Sequence, residues 1–148
     1  MTVYETYGAL MFRRCRLITR DVELAEIAFE SSFVKLIEFG SSFRRVPSKL
    51  RWLYDQCDRE SLKALSKYLQ ISNEEEQLEP QDENTITVAS FWSELSSGDQ
   101  LIAIRKYVDG FASEKIAELS GLSVRSIGYA ERRLRDKADM IMEASDYE

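Results

Sequence analysis

Apolar side chains recur along this chain at three- and four-residue steps and nowhere in sustained alternation, so the pattern predicts helices throughout and no strand. Residues 2–18 form the first, with Tyr4, Tyr7, Met11 and Leu17 or Ile18 inward and Arg13, Arg14, Arg16 and Arg20 outward or at its end. Asp21 has the side chain of an N-cap. The second helix, over 22–39, buries Leu24, Ile27, Ala28, Phe33, Leu36 and Ile37 and stops at Gly40. A loop, GSSFRRVPSK, leads to a third helix over 48–69 that buries Leu50, Leu53, Tyr54, Cys57, Leu65 and Tyr68. Residues 70–85 offer few apolar anchors, a proline and dense acid, the composition of an extended or disordered tether. Beyond it Phe91, Trp92 and Leu95 start a second apolar cluster. Ser97 and Gln100 have capping-box spacing for a helix carrying Leu101, Ile102, Ile104, Tyr107 and Val108, which Gly110 ends. Two short helical patterns then meet at Gly121 within 112–137. The expectation is an all-α chain: two small helical bundles, 1–70 and 86–148, joined by an acidic flexible linker over 71–85, the second bundle containing a helix-turn-helix.

Charge sharpens this division. The net charge of −6 looks wrong for a nucleic-acid binder until it is split: residues 1–70 carry 12 basic and 9 acidic side chains, 71–85 carry six acidic and no basic ones, and 86–148 carry eight basic and eleven acidic. The mean hides a mildly basic first part and a last part whose cations cluster on one helix. With no histidine, two isolated cysteines, no glycine-rich phosphate loop and no nucleophile beside a base, the chain offers no metal site, cofactor site or catalytic constellation, and Cys15 and Cys57 read as reduced core thiols. Those absences predict that it is not an enzyme, and since no apolar run is long enough for membrane insertion and the N-terminus lacks signal-peptide order, the expected location is cytoplasmic.

The candidate chemistry is therefore binding. Ile116, Ala117, Gly121 and Ile127 occupy the positions where a helix-turn-helix needs apolar, small, left-handed and apolar residues. On the second helix Val124, Ile127 and Leu134 share one face, while Arg125, Tyr129, Arg132 and Arg133, beside Ser126, share the other. Guanidinium forks suit guanine edges and phosphates in a major groove, and the tyrosine adds an apolar wall. In the first half, Phe43 with Arg44 and Arg45 pairs an aromatic with two cations, as would suit an unstacked base, although such an aromatic serves equally as a satellite of the core. The stripe Arg51, Asp55, Arg59, Lys63 and Lys67 fits phosphates or ordinary helix-surface pairing.

These patterns resemble, over nearly the whole chain, the minimal sigma factors of bacterial RNA polymerase, the extracytoplasmic-function group. LAEIAFESSFVKL (24–36) stands where that family has Ala-Glu-Asp, then Gln, then Phe, and RWLYDQCDRESLKAL (51–65) where it has a Trp-Leu helix followed by Asn, Asp and Arg. The stretch 95–134 follows the family's order closely. The resemblance implies that Glu26, Glu30 and Phe33 dock on core RNA polymerase. It implies that the loop with Phe43, Arg44 and Arg45 captures a flipped base of the −10 element and that the stripe with Arg59 and Lys63 grips melted strand or adjacent phosphates. Arg125, Ser126, Tyr129, Arg132 and Arg133 would read the −35 element of promoter DNA, and the acidic tether would thread a basic polymerase channel, although its composition equally suits a solubilising spacer. Ile27 departs from the family's acid, Glu30 from its glutamine, Arg59 and Lys63 from its asparagine and aspartate, and Gly128 and Ala130 from frequent basic residues of the reading helix.

The function expected on this resemblance is that of an alternative sigma factor. Two others stay open: a sigma-like decoy or adaptor that binds an anti-sigma protein or the polymerase without reading promoters, and a free-standing helix-turn-helix regulator.

Overall fold

The structure is a computed structural model and describes residues 2–74 and 83–146. Its elements are α1 (Val3–Thr19), α2 (Val22–Glu38), α3 (Gly40–Arg45), α4 (Lys49–Glu74), α5 (Glu83–Ser93), α6 (Ser97–Ala103), a π-helical turn (Ile104–Val108), α7 (Ser113–Ser120) and α8 (Val124–Asp146). No strand occurs among the described residues, so the fold class is all-α. The chain divides into two compact units between Ala89 and Ser90.

Local chemistry explains the helix starts. Thr2 and Glu5 form a reciprocal capping box on α1, Asp21 accepts the Leu24 amide at 2.9 Å on α2, and Ser48 accepts the Arg51 amide at 3.2 Å on α4. On α6 the cap is Ser96, one residue earlier than the spacing suggested: its hydroxyl accepts from the Asp99 amide, and Gln100 instead donates to the Trp92 carbonyl at 2.9 Å.

The helix ends differ more from expectation. Gly40 does not terminate α2; Phe39 breaks the helix, and Gly40 opens α3, so part of the predicted loop is helical. Val46 leaves the helical region just before Pro47, as the proline ring demands. The third predicted helix, α4, runs to Glu74, because no glycine or proline interrupts 50–79. Of the tether 71–85, residues 71–74 thus end α4 and 83–85 begin α5, while 75–82 lie outside the described residues. Thr85 is buried, and its hydroxyl lies 3.5 Å from the Asp21 carboxylate.

The first core gathers Met11, Cys15, Ala25, Ala28, Phe43, Leu53 and Cys57 where α1, α2 and α4 meet. Both cysteines are free and fully buried, and the thiol contact with Cys15, together with burial, pushes the Cys57 thiol up. The small stripe Ala25, Ala28 and Ser32 brings α2 close to its neighbours, which rotates Ile27 and Ile37 outward; both were expected inside, and they are 53% and 82% exposed. Arg14, expected outside, is buried and forms a fork with Asp58 at 2.7 and 2.9 Å, its guanidinium 4.6 Å from the Tyr54 ring. Tyr4 is mostly exposed but lays its ring against Phe29 and Phe33. The second core holds Trp92, Leu95, Ile102, Ile104, Ile116, Ile127 and Leu134, and each fully buried branched side chain contributes roughly 1.5–3 kcal/mol.

Candidate nucleic-acid interface

In the second unit, α7 and α8 are joined through Gly121, whose φ of 68° lies in the left-handed region and whose amide closes on the Ala117 carbonyl. That conformation favours glycine because it has no Cβ. Ile116, Ala117, Ile127 and Leu134 are all buried, as their spacing predicted. Val124, predicted with them, is 49% exposed, and Ala130 takes its place in the core at 1%. Ala130 is therefore a packing residue: a basic side chain there would sit inside the unit, so its absence takes nothing from the outer face. Gly128 is exposed with open space where a Cβ would lie.

The five side chains assigned to reading part company. Arg125, Tyr129 and Arg132 project from the face of α8 opposite its buried residues, and Arg125 donates to the Tyr129 hydroxyl at 3.1 Å with its guanidinium 5.7 Å from the ring. Ser126 is exposed at the start of α8, where its amide and hydroxyl are tied to the Ser123 cap at 3.1 and 3.0 Å. Arg133 turns aside. It clasps Asp99 in the first turn of α6 through two bonds of 3.0 and 3.2 Å, and that carboxylate raises its already high pKa. Lys137 likewise reaches Glu94 at 3.3 Å.

A further group was missed from sequence. Glu131 accepts from Lys106 at 2.8 Å and from the Ser113 hydroxyl, which holds its carboxyl below the usual range. Lys106 lies in the π-helical turn, and its neighbour Arg105 there donates to the Ser120 hydroxyl at 2.8 Å. An acid directly before the paired Arg132 and Arg133 was the available signal. Its partners, 25 and 18 positions away, were not legible.

The first unit corrects the aromatic assignment. Phe43 is buried against Trp52, with ring centres 5.4 Å apart, so the core-satellite reading holds and it presents no free face for a base. Arg44 and Arg45 are exposed on the short α3. Beside α3 the exposed aromatic is Phe39, four residues beyond Lys35 and 5.8 Å from its ammonium. Phe39 lines an open cleft of about 380 Å3 with Lys35, Trp52, Gln56, Arg59 and Lys63. Arg59 and Lys63, two members of the stripe, thus share the cleft with aromatic rings and with Glu60, whose carboxylate lies 3.6 Å from the Lys63 ammonium. Arg51 is spoken for by Asp55 and Asp58. Glu26 and Glu30 are exposed on α2, whereas Phe33 is half-buried, 5.0 Å from Phe29.

No group of three or more candidate metal ligands occurs among the described residues. No described helix is long and apolar enough to cross a membrane. Compared with known proteins, the chain matches no family model and no curated protein sequence.

Proposed function

We propose that this protein is a divergent alternative sigma factor, which binds core RNA polymerase, directs it to a class of promoters and performs no chemistry of its own. The observation that carries the reading is the helix pair closed at Gly121, which leaves Arg125, Tyr129 and Arg132 together on the solvent face of α8. Two guanidinium groups and a ring on one helix face suit a major groove. The cleft with Phe39, Trp52, Arg59 and Lys63 supports the other half, since cations around aromatic faces suit an unstacked base and its phosphates. The acid pair Glu26 and Glu30, beside the exposed apolar side chains of α2, suits a basic, partly apolar protein surface such as a polymerase docking element. On this reading the protein works in the cytoplasm.

One observation favours a second reading, a sigma-like adaptor that binds polymerase or an anti-sigma protein without reading promoters: Arg133 is engaged by Asp99, which leaves α8 fewer free donors. Run-off transcription with purified core polymerase on a promoter-fragment library, beside a core-enzyme pull-down, separates the two. Specific transcripts are expected. Core binding without transcripts would favour the adaptor, and specific DNA binding without core association would remove both in favour of a free-standing regulator.

A further inference from the structure

The chain has two cysteines, and the fold brings them from different helices into contact: the Cys15 thiol of α1 and the Cys57 thiol of α4 are each other's hydrogen-bonding partner. Their immediate neighbours in sequence, Arg14 and Asp58, form the buried fork of 2.7 and 2.9 Å that pins α1 to α4 at the same level. Two further polar side chains are fully buried around them. The Ser32 hydroxyl of α2 lies against Cys57 and is spent on the Ala28 carbonyl at 2.8 Å. The Ser61 hydroxyl lies against Cys15 and has no well-formed hydrogen bond. A core that needed only volume would fill this junction with alanine and valine, and a buried polar atom without a partner is rare enough to ask for a reason.

The two sulfurs are not equivalent. The Cys57 thiol, and with it the Ser61 hydroxyl and the Arg14 guanidinium, favours a thiolate at Cys15 and holds that thiol below its ordinary value, although burial and the Asp58 carboxylate act against this. Contact with Cys15, together with burial, pushes the Cys57 thiol up. Cys15 is therefore the sulfur that attacks and Cys57 the one that resolves. A thiolate that already touches a resolving thiol ends in a disulfide and not in the higher sulfur acids.

We infer that Cys15 and Cys57 are a reversible thiol–disulfide couple, a modification site inside the first unit whose oxidant is a hydroperoxide. With hydrogen peroxide, the Cys15 thiolate attacks one oxygen and the O–O bond breaks. The departing hydroxide takes up the proton that Cys15 released and leaves as water, and Cys15 becomes a sulfenic acid. The Cys57 sulfur then displaces the hydroxyl, its own proton leaves with it as a second water, and the S–S bond forms. Two thiols are oxidised and one peroxide is reduced to two waters. The peroxide is scarcely larger than water and reaches the pair by local opening of the helix packing; once one sulfur is oxidised no further access is needed, because its partner is already in contact. The product ties α1 to α4 and closes a loop that contains α2 and α3, which restricts the unfolded chain and makes the first unit harder to open. The inference concerns this unit alone and holds whichever function the chain performs.

The test exposes the reduced, folded full chain to hydrogen peroxide, quenches it in urea with an alkylating agent and measures the intact mass. The expected product has lost the mass of two hydrogens, takes up no alkyl group, remains a monomer on a non-reducing gel and returns to two alkylatable thiols with dithiothreitol. Cys57→Ser, which removes the resolving sulfur, should gain oxygen at Cys15 instead. In a Trp92→Phe chain, Trp52, which packs against this core, reports the first unit, and its urea midpoint should rise by about 1 M on oxidation and fall back on reduction. Thiols that stay alkylatable in the folded chain and are oxidised only after unfolding would overturn the inference, as would oxygen gained by the parent without a disulfide, or a disulfide between two chains. A midpoint that is unchanged or lowered in the oxidised chain would remove the tie between α1 and α4. These readouts on the parent sulfurs stand even where Cys57→Ser does not fold.

Discussion

The two units each contain an arginine–aspartate fork, and the forks differ in everything except their chemistry. In the first unit Arg14 and Asp58 are 4% and 9% exposed and lie beside the thiol core. In the second, Arg133 is 58% exposed and Asp99 15%. A buried fork must be complete, because removing one partner strands a desolvated charge. An exposed one exchanges its partner for water at little cost. The Lys106–Glu131 pair, at 26% and 16%, stands between them. The three pairs form a graded series in which the same opposite-charge contact goes from obligatory to releasable. The releasable member is the one that holds a residue assigned to reading DNA.

The series can be broken from its strongest member down. Asp58→Ala should destabilise the first unit by about 3–5 kcal/mol, since Arg14 would remain buried without its carboxylate. Urea unfolding of single-tryptophan variants checks this, because Trp52 and Trp92 report on one unit each. A loss below about 1 kcal/mol would place the two forks on the same footing and end the comparison.

Glu131→Gln comes next, with an expected loss of about 1.5–3 kcal/mol in the second unit from the weakened bond to a charged group. It also carries a pH signature. The Glu131 carboxyl is held below its ordinary value of 4.5, so its contribution is present above that pH and declines as pH falls below it toward the lowered value. The parent chain should lose stability in that acid window, and Glu131→Gln should lose less; parallel acid profiles would remove Glu131 from its place in the series.

Gly128→Ala tests whether α8 is held by such pairs or limited by its own backbone. The site is open, so the substitution should stabilise the helix by up to about 1 kcal/mol, read as a rise in the Trp92-reported midpoint. A fall would mean that the space beside Gly128 is in use.

Asp99→Asn should cost least, about 0.2–1 kcal/mol, because the pair faces water. Its value lies elsewhere. If α8 reads DNA, releasing Arg133 should raise affinity for duplex DNA, measured by anisotropy, and Arg133→Ala should lower it in the Asp99→Asn background more than in the parent. Equal effects in both backgrounds would show that the clasp does not withhold Arg133 from DNA.

Much of the architecture was set by the sequence alone, because it depends on neighbours a few residues apart. Helical period, the caps at Thr2, Asp21 and Ser48, the left-handed turn at Gly121 and the buried set Ile116, Ala117, Ile127 and Leu134 all follow from local geometry. Tertiary structure decided what local pattern leaves degenerate. A helix bearing apolar residues on two sides does not say which side meets its neighbour, and the small stripe Ala25, Ala28 and Ser32 left Ile27 and Ile37 outside. Phe43 and Phe39 are both aromatics beside cations, yet packing against Trp52 buried the first and left the second exposed. Cations were the least legible. Arg14 meets an acid 44 positions away and Arg133 one 34 positions away, while Arg132 remains on the open face and Arg13, Arg16 and Arg20 line a groove. Composition counts charges, but only the folded chain determines which of them have partners.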